Sequence, residues 1–470
     1  MTLILPTNSV KDTGGYQVAN SCRFNRADSA ILSKTFSGDG THHDKGTISL
    51  WIKRNELGAE EVLFSAGASG REFFRFETND TLTFRSTSEG FHLNTNRVFR
   101  DVSAWYHFVL ALDSTQGTAS NRIKIYVNGV QETSFATETY TPNQNMDHKI
   151  LSGELNTLGK DSEQNAFASC YFCEVIGIDG QQLTPTSFGE FDEDTGIWKP
   201  KDVSGLTFGT NGFYLDFEDS SALGNDVSGN NNDFANTNLA TTDQSTDTCT
   251  NNFATLNLLA INNNTSANYI TLSEGNLKAV GNSTSNNGNG YSTIGFTKGK
   301  WYMEVKILGT STHYPNLGIV PLRTLQRLGS QTGQVGSDTD SFAYIATGNK
   351  ENNGTSSYGN SFTTNDIIGI AVDLDNGAIY FSKNGTFQAS GDPTSGASKT
   401  NSAFGFTVLD EEYFFGFAVY KSASIIECNF GSPPYSESGG NSDGNGYGNF
   451  AGSVPANYYC LNTKNLAEFG

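Results

Sequence analysis

Hydrophobic residues along this chain recur in short alternating runs. In NDIIGIAVDLDNGAIYFSKNGTF (365–387), Ile368, Ile370, Val372 and Leu374 occupy every second position. A period of two is the pattern of a β-strand with one buried face, because successive side chains of a strand point to opposite sides. No long run follows the 3.6-residue period of an amphipathic helix. The pattern therefore predicts a chain built from strands.

Asn-Gly pairs interrupt several of these runs. Positions 376–377 and 384–385 bracket the six residues AIYFSK, and positions 128–129 follow the alternating run IKIYV. Asn and Gly tolerate the two positive φ angles of a type I′ turn, which joins antiparallel strands. We predict a three-stranded meander over 365–387 and a separate hairpin around 128–129.

Other runs predict further strands. Residues 105–112 (WYHFVLAL) form a near-continuous apolar run, as expected for a strand buried on both faces. Residues 170–178, 301–307 and 414–420 are also predicted strands, and the Asn-Asp pair at 79–80 is a predicted hairpin turn.

Length and composition turn this pattern into an architecture. The chain has 470 residues, including 51 Gly, and 12% of its residues are aromatic. It is too long for one ordinary core, and short aromatic-rich strands separated by turns are typical of sandwiches. We therefore predict an all-β protein of two tandem antiparallel β-sandwiches.

The stretch GNDVSGNNNDFANTNLATTDQSTDTCTNN (224–252) marks the predicted boundary, because its composition is almost entirely turn-forming. Residues 213–217 (FYLDF), just before it, look like a strand that could complete the first sandwich. The predicted organisation is an N-terminal arm (1–15), a first sandwich (16–204), a loop-rich connector (205–252), a second sandwich (253–435) and a Gly/Ser/Asn-rich tail (436–470).

Charge and hydropathy exclude some classes of function. The formal net charge is −20, from 29 Lys+Arg against 49 Asp+Glu. An acidic surface repels phosphate backbones, so we expect no nucleic-acid partner. No run approaches the roughly 18 apolar residues of a membrane span, and MTLILPTNSV lacks a basic flank. We expect neither a membrane partner nor a signal peptide.

The cysteines are scattered along the chain. Only Cys170 and Cys173 are close in sequence, and no second pair or neighbouring histidine completes a metal site. Residues three apart on a strand point to opposite faces. We therefore expect free thiols on a partly buried strand.

Several segments also match known families in their order and spacing. The segments CRFNRADSAILSKTF, TISLWIKR, WYHFVLALD, IKIYVNG and CEVIGIDGQQLTPTSFGEFDEDTGIWKPK resemble a laminin-G-like, concanavalin-type jelly roll. In the second half, GKWYMEVKI, IIGIAVDLDNGAIYFSKNG and FFGFAVYKSASIIECNFG resemble a SPRY domain, in which a DxDNG turn is followed by a KNG turn.

The tandem arrangement, followed by YCLNTKNLAEFG, resembles virion proteins of tailed bacteriophages, many of them marine. That resemblance implies a non-enzymatic structural protein, such as a tail fibre, appendage or capsid fibre, with a binding surface for host glycans or surface proteins. It implies synthesis in the host cytoplasm, residence in the virion, and other virion proteins as partners. We also expect a homo-oligomer.

Two alternatives stay open. One is a capsid-decoration or connector protein that binds other virion proteins. The other is a polysaccharide depolymerase, because the jelly-roll fold also hosts glycosidases, which need two carboxylates facing one cleft. Asp373 and Asp375 have a suitable spacing but lead into a turn, Glu60 and Glu61 are adjacent, and 190–194 has loop composition.

No other catalytic constellation is indicated. His107 lies in a predicted strand, where packing is the simpler role, and no Gly-x-Ser-x-Gly elbow or phosphate-binding loop is present. We predict no catalytic residue and no enzyme.

Laminin-G-like domains often bind calcium through loop carboxylates. The resemblance therefore makes Asp216, Asp219 and Asp226 candidate calcium ligands, with Asp233 nearby, and calcium the one candidate cofactor. The alternative is that these residues form ordinary Asx turns.

SPRY domains bind proteins through loops at one end of the sandwich. The matching loops here are 309–318, with His313 and Tyr314, and 348–364, with Tyr358 and Phe362. Exposed aromatic side chains on loops favour binding. The alternative is that Tyr314 or Tyr358 only anchors its own loop.

Overall fold

A computed structural model describes residues 15–140, 144–261, 269–282, 286–328 and 333–470. The chain forms two compact units, the first ending at residue 250 and the second running from 251 to 470. Each unit has two large sheets around an apolar core, which confirms the predicted pair of sandwiches. The predicted arm at 1–15 lies outside the described residues except for its last residue.

The described part of the first sandwich contains eighteen strands. In chain order they are β1 (Ser21–Phe24), β2 (Ile31–Thr35), β3 (Lys45–Arg54), β4 (Glu61–Ala66), β5 (Glu72–Phe76), β6 (Thr81–Ser86), β7 (His92–Val98), β8 (Trp105–Asp113), β9 (Ile123–Val127), β10 (Val130–Gln131), β11 (Phe135–Thr139), β12 (Leu155–Leu158), β13 (Cys170–Asp179), β14 (Gly189–Phe191), β15 (Trp198–Pro200), β16 (Phe213–Leu215), β17 (Ala235–Thr237) and β18 (Gln244–Ser245).

The two main sheets of the first sandwich have eight strands each. One runs β10-β9-β8-β3-β13-β1-β18 with β16 paired to β13, and the other runs β11-β7-β6-β5-β4-β12-β2-β17. Phenylalanines fill the space between them, and Phe74 and Phe76 from one sheet meet Phe108 from the other edge-on. This edge-to-face packing adds to the apolar area that the aromatic rings bury.

The first sheet is also covered on its outer face. Two further apolar clusters lie there, formed around Ile176 and Phe188 and around Trp51 and Tyr171. Burial on both sides explains why β8 is apolar at nearly every position, as predicted. In contrast, β9 alternates between buried and half-buried positions.

The second sandwich contains fifteen described strands and two short helices. They are β19 (Ile270–Ser273), β20 (Lys278–Gly281), β21 (Asn287–Tyr291), β22 (Lys300–Gly309), β23 (Asn316–Pro321), α1 (Leu322–Leu328), β24 (Phe342–Ile345), β25 (Asn349–Glu351), β26 (Thr355–Ser357), β27 (Ile367–Asp373), β28 (Ala378–Lys383), β29 (Thr386–Phe387), β30 (Phe404–Gly405), β31 (Tyr413–Tyr420), β32 (Ile425–Asn429), β33 (Tyr459–Cys460) and α2 (Thr463–Phe469).

The sheets of the second sandwich have nine and six strands. The larger runs β19-β20-β32-β22-β27-β28-β29, with β30 on β28 and β33 on β22, and the smaller runs β21-β31-β23-β24-β25-β26. The predicted meander is confirmed as β27-β28-β29. None of the helices in the described part of the chain is long and apolar enough to cross a membrane.

The turns of the meander differ from each other. Asn384 and Gly385 both have positive φ angles, 51° and 78°, as a type I′ turn requires. The prediction of the same turn at 376–377 is wrong, because only Gly377 has a positive φ and the strands are joined by four residues, 374–377. The Asp373 carboxylate accepts a hydrogen bond from the Asn376 amide and stabilises this longer loop.

The segments predicted as a connector and a tail both contribute strands to the sandwiches. The strand that the sequence suggests at 213–217 is present as β16, and the connector also supplies β17 and β18, so the first unit extends to residue 250. The tail supplies β33, which pairs in parallel with β22, and helix α2. The Glu304 carboxylate also binds the tail, because it accepts hydrogen bonds from the backbone amides of Ala451 and Gly452, both at 2.8 Å. Long-range contacts of this kind leave no local signal in a Gly-rich sequence.

Candidate functional site

The two predicted binding loops meet at one end of the second sandwich. The Ala346 amide donates to the His313 carbonyl at 3.0 Å, and the Phe362 amide donates to the Ala346 carbonyl at 3.0 Å. Ala346 therefore ties 309–318 to 348–364. We call the residues 309–318 and 346–364 together the loop end.

His313 and Tyr314 occupy different environments in the loop end. The chain turns tightly here, since the backbones of Ser311 and Tyr314 pair with each other. The Tyr314 ring stacks on His313 at 4.3 Å between centroids and contacts Tyr420 at 5.3 Å. Tyr314 is only 6% exposed, so the expectation of an exposed tyrosine is corrected. His313 is half-buried and borders solvent.

The aromatic residues of the other loop also point inward. Phe362 is 3% exposed and lies 5.1 Å from the ring of Tyr344, which corrects the expectation that it is exposed. Tyr358 is half-buried, edge-on to Tyr344, and its hydroxyl accepts a hydrogen bond from the amide of Phe381. These rings anchor the loop, which was the alternative left open by the sequence. A direct ligand contact by any of them stays a prediction.

The exposed part of the loop end is polar. Thr312, Thr347, Asn360 and Ser361 are exposed, and the backbone beneath them is fixed. The Asn360 amide donates to Gln388 at 2.9 Å, while its carbonyl accepts from the Tyr344 hydroxyl. Exposed polar side chains on a restrained backbone present hydrogen-bonding groups in a constant arrangement.

A buried polar network supports the loop end from below. The Glu351 carboxylate accepts hydrogen bonds from the side-chain amides of Asn316 at 2.9 Å and Gln334 at 2.8 Å. Gln334 in turn accepts from the Tyr314 hydroxyl. Burial, with the Glu351 charge nearby, raises the pKa of Tyr314, so this hydroxyl remains a donor at neutral pH. The sequence offered no sign of this network, because its members come from three separate segments.

The candidate calcium ligands cap turns. Asp226 accepts hydrogen bonds from the amides of Tyr214, Ser228 and Asn232, and Asp219 accepts from the amide of Ser221. Asp216 accepts from the amide of Glu218 and Asp233 from that of Asp226. Across the described residues, no group of three or more His, Cys, Asp or Glu side chains could hold a metal ion. Calcium binding stays a prediction.

The carboxylates considered for catalysis also have structural partners. Asp373 binds the Asn376 side chain and the Lys300 ammonium group, and Asp375 accepts from the Gly299 amide. Glu61 is enclosed with Arg54, and Glu60 pairs with a second arginine. The predicted loop at 190–194 begins inside strand β14, and in the turn that follows it the Asp192 carboxylate caps the backbone and binds a lysine. These contacts orient each carboxylate towards its own partner.

A Ser-His pair occurs in the first sandwich with the wrong proton arrangement for catalysis. Ser49 Oγ lies 2.8 Å from His107 Nε2, and the indole N–H of Trp198 donates to His107 Nδ1 at 2.9 Å. Because Nδ1 accepts, the proton of the neutral ring is on Nε2, which donates to Ser49. Burial lowers the pKa of His107 to about 3. A general base for serine requires the opposite tautomer.

Comparisons with known proteins match this architecture. A model of the family described as the concanavalin A-like lectin/glucanases superfamily (Laminin_G_3) matches residues 27–175, and a SPRY domain model matches residues 300–433. The chain contains a concanavalin-type domain followed by a SPRY domain. Members of both families are typically non-catalytic binding domains.

Individual relatives are more distant. The ATP-dependent RNA helicase DDX1 of Xenopus laevis is 40% identical over 95 residues, which cover 20% of this chain and only 12% of the helicase. The solved SPRY domain of human HERC1 is 19% identical, covering 34% of this chain and 92% of that structure at a TM-score of 0.28. A second human SPRY domain is 18% identical, covering 36% and 98%, at 0.26. At such TM-scores these structures add nothing to the family matches.

Proposed function

We propose that this chain is a non-enzymatic binding protein of a virion, in which the loop end of the SPRY domain contacts a host glycan or surface protein. The observation that carries the binding role is the exposed polar rim at positions 312, 347, 360 and 361, held on a backbone that buried rings fix in place. A surface arranged in advance loses less conformational entropy when a ligand docks.

The non-enzymatic part of the proposal is supported by the internal bonding of the candidate catalytic groups. The Asp373 and Asp375 carboxylates hold a turn and a neighbouring backbone amide. His107 presents a proton to Ser49 where a base would have to accept one. Release of reducing sugar from host polysaccharide by the intact chain would contradict this part.

The virion part is supported by the resemblance of the tandem arrangement to proteins of tailed bacteriophages. It implies assembly with other virion proteins as a homo-oligomer after synthesis in the host cytoplasm. An acidic protein of net charge −20 also suits a partner other than nucleic acid.

Adsorption to host cells tests the binding role. We expect the labelled full chain to bind cells and to reduce phage adsorption in competition. Replacing two loop-end side chains together, His313→Ala with Asn360→Ala, is expected to weaken binding about tenfold, the effect of losing roughly 1.4 kcal/mol of contact energy.

A matched control is His42→Ala, which removes an exposed histidine from the concanavalin-type domain and is expected to leave binding unchanged. The proposal fails if the unmodified chain neither binds cells nor competes with phage. The loop-end assignment fails if the double variant binds as the unmodified chain does.

A second candidate function is a contact with other virion proteins, as in a decoration or connector protein. One hairpin of the concanavalin-type domain, β14-β15, exposes Phe191 by 51% and Ile197 by 40%. Large exposed apolar side chains grouped on one element favour a protein contact. If this candidate is right, Phe191→Ser with Ile197→Ser will reduce incorporation of the chain into particles and leave cell binding by the free protein unaffected.

A further inference from the structure

Two cysteines that are distant in sequence meet on the outer face of the concanavalin-type domain. Cys173 lies on β13, and Cys249 lies in the segment after β18. Both pack in the apolar cluster that contains Trp51 and Tyr171, where each thiol is close enough to influence the other. All six cysteines of the chain are free thiols in the structure.

The fold positions both sulfur atoms. On β13, a bulge follows Cys173, where Glu174 has a φ of 50° and the pairing with β3 shifts register. Before the bulge the strand is regular, so Cys173 faces the outer cluster and Cys170 faces the core between the sheets, as residues three apart on a strand should.

The segment that carries Cys249 is held on both sides of it. The Asp247 carboxylate binds the buried Lys53 ammonium group at 2.7 Å, and the Thr250 hydroxyl accepts from the Val18 amide at 3.0 Å. With anchors two residues before and one residue after it, Cys249 has little freedom to move away from Cys173. The fold itself therefore keeps the two cysteines close together.

We propose that Cys173 and Cys249 are a modification site, at which a mild oxidant such as a peroxide converts the two thiols into a disulfide. Cys249 is partly accessible and Cys173 is fully buried, so Cys249 reacts first. Its sulfur attacks one peroxide oxygen, the O–O bond breaks, and water leaves. The Cys173 sulfur then attacks the resulting sulfenic sulfur, the S–O bond breaks, and a second water leaves. Two thiols are oxidised and one peroxide is reduced.

The surroundings of the two thiols make the reaction slow at neutral pH. Burial raises the pKa of Cys249 well above its ordinary value and also raises the pKa of Cys173. Since the thiolate is the reacting form, the rate of cross-linking is expected to rise steadily as the pH increases to 9 and beyond. A chain made in a reducing compartment would keep its thiols and form the cross-link only after release.

A second pair of cysteines is close in the fold but shielded from an oxidant. Cys22 lies opposite Phe172 and Cys170 opposite Phe24, so the two thiols are diagonal neighbours on paired strands, and Cys22 contributes to raising the pKa of Cys170. Both side chains are fully buried in the core between the sheets, whereas Cys249 is partly accessible. The Cys460 thiol donates to the Asp443 carboxylate. The inference is therefore specific to one pair, and it does not depend on the proposed binding function.

The cross-link would join β13 to the last segment of the concanavalin-type domain. The loop it closes contains β14 to β18, including the strands contributed by the predicted connector. A disulfide across a long loop stabilises mainly by restricting the unfolded chain. We expect the unfolding midpoint of this domain to rise by about 5 to 15 °C on oxidation.

Thiol counting and peptide mapping of the full chain test the proposal. After purification under reductant and treatment with dilute hydrogen peroxide at about pH 9, where the thiolate is more populated, we expect four titratable thiols in place of six when the chain is unfolded before counting. Mapping without reductant should recover one peptide pair that joins Cys173 to Cys249, and reductant should reverse both the pairing and the midpoint shift.

Two variants complete the experiment. Cys249→Ser, at a partly accessible position, should lose no thiol pair under peroxide, whereas Cys428→Ala in the SPRY domain should still form the cross-link. Six remaining thiols after oxidation, a different pair, or sulfinic acid at Cys249 in place of the disulfide would each overturn the proposal. A midpoint that does not move although the disulfide forms would overturn the stabilising role.

Discussion

The two domains bury different kinds of polar group. The concanavalin-type domain encloses ion pairs in which both side chains are at most 10% exposed, namely Lys53–Asp247, Arg54–Glu61 and Arg71–Asp161. The SPRY domain instead buries tyrosines, including Tyr291, Tyr302, Tyr344 and Tyr380. Its Lys300–Asp373 pair keeps the lysine 19% exposed.

This difference predicts different weaknesses. In a buried ion pair, the attraction between the two charges compensates the large cost of removing both from water. Loss of one partner therefore leaves a buried charge whose desolvation is not compensated. A buried tyrosine contributes mostly apolar area, with one hydroxyl that needs a partner. The concanavalin-type domain should therefore be the more sensitive to single charge removals and to pH.

The largest effect is expected from Arg54→Met. Arg54 is fully buried, binds Glu61 and Asp80, and lies over the ring of Phe76. Removing its charge leaves Glu61 unpaired and should destabilise the domain by about 3–5 kcal/mol. Tryptophan fluorescence during urea unfolding measures this, since Trp51, Trp105 and Trp198 all lie in this domain.

The matched control is Arg26→Met, which breaks a half-exposed pair with Glu56 and should cost less than about 1 kcal/mol. If the two substitutions lower the free energy of unfolding by equal amounts, burial of the ion pair does not determine the cost of losing it.

The next largest effect is a pH dependence at Glu174. Burial raises the pKa of Glu174 from 4.5 to about 7, although hydrogen bonds from the Tyr214 and Tyr16 hydroxyls oppose this shift. Because the pKa of Glu174 is higher in the folded state than in the unfolded state, binding of a proton favours folding. This stabilisation is fully present below pH 4.5 and is lost as the pH rises through 7.

Glu174→Gln removes the titrating group. The stability of the variant relative to the unmodified chain should therefore rise by about 3 kcal/mol between pH 4 and pH 8, on the order expected for a shift of this size. Urea unfolding followed by tryptophan fluorescence across this range measures the difference, and a constant difference would contradict the assignment.

A smaller effect is expected in the SPRY domain from Glu304→Ala. Its carboxylate accepts hydrogen bonds from the amides of Ala451 and Gly452 and from the Tyr302 hydroxyl. Leaving these donors unpaired should cost about 1–3 kcal/mol and speed amide exchange in the tail. Hydrogen exchange measures this, with Glu437→Ala as the control, because the Glu437 carboxylate caps the exposed Gly439 amide.

The smallest effect compares the same turn in the two domains. Gly385 has a φ of 78°, and a Cβ there would meet only the Gly452 Cα at 3.8 Å, so Gly385→Ala should cost about 1–2 kcal/mol of backbone strain. At Gly129 the added Cβ would lie 2.5 Å from the Trp198 ring. Gly129→Ala should therefore lower the free energy of unfolding of its domain by more than Gly385→Ala does. Equal losses for the two substitutions in urea unfolding would contradict the contact with Trp198.

Local patterns in the sequence predict much of the fold. Alternation over 368–374 and the Asn-Gly pair at 384–385 predict β27, β28 and the turn that follows, because strand faces and type I′ turns depend on neighbouring residues. The opposite orientations of Cys170 and Cys173 follow from the same two-residue period.

Contacts between distant segments could not be predicted in this way. Trp198 fixes the tautomer of His107 from 91 positions away, and Glu304 holds the tail from 147 positions away. The burial of Tyr314 and Phe362 also depends on which strands lie beneath their loops, since an aromatic residue in a polar loop can face either solvent or core. The sequence therefore predicts which loops form the candidate site, but it does not predict which of their aromatic rings are buried.

The central proposal is that this chain works in a virion as a binding protein whose SPRY loop end faces outward. Imaging of purified phage particles with an antibody raised against the loop-end residues 346–364 tests it directly. We predict that the antibody labels intact particles at fibres or appendages and blocks their adsorption to host cells. Particles that contain the chain but bind the antibody only after disassembly, or that lack the chain altogether, would contradict the claim.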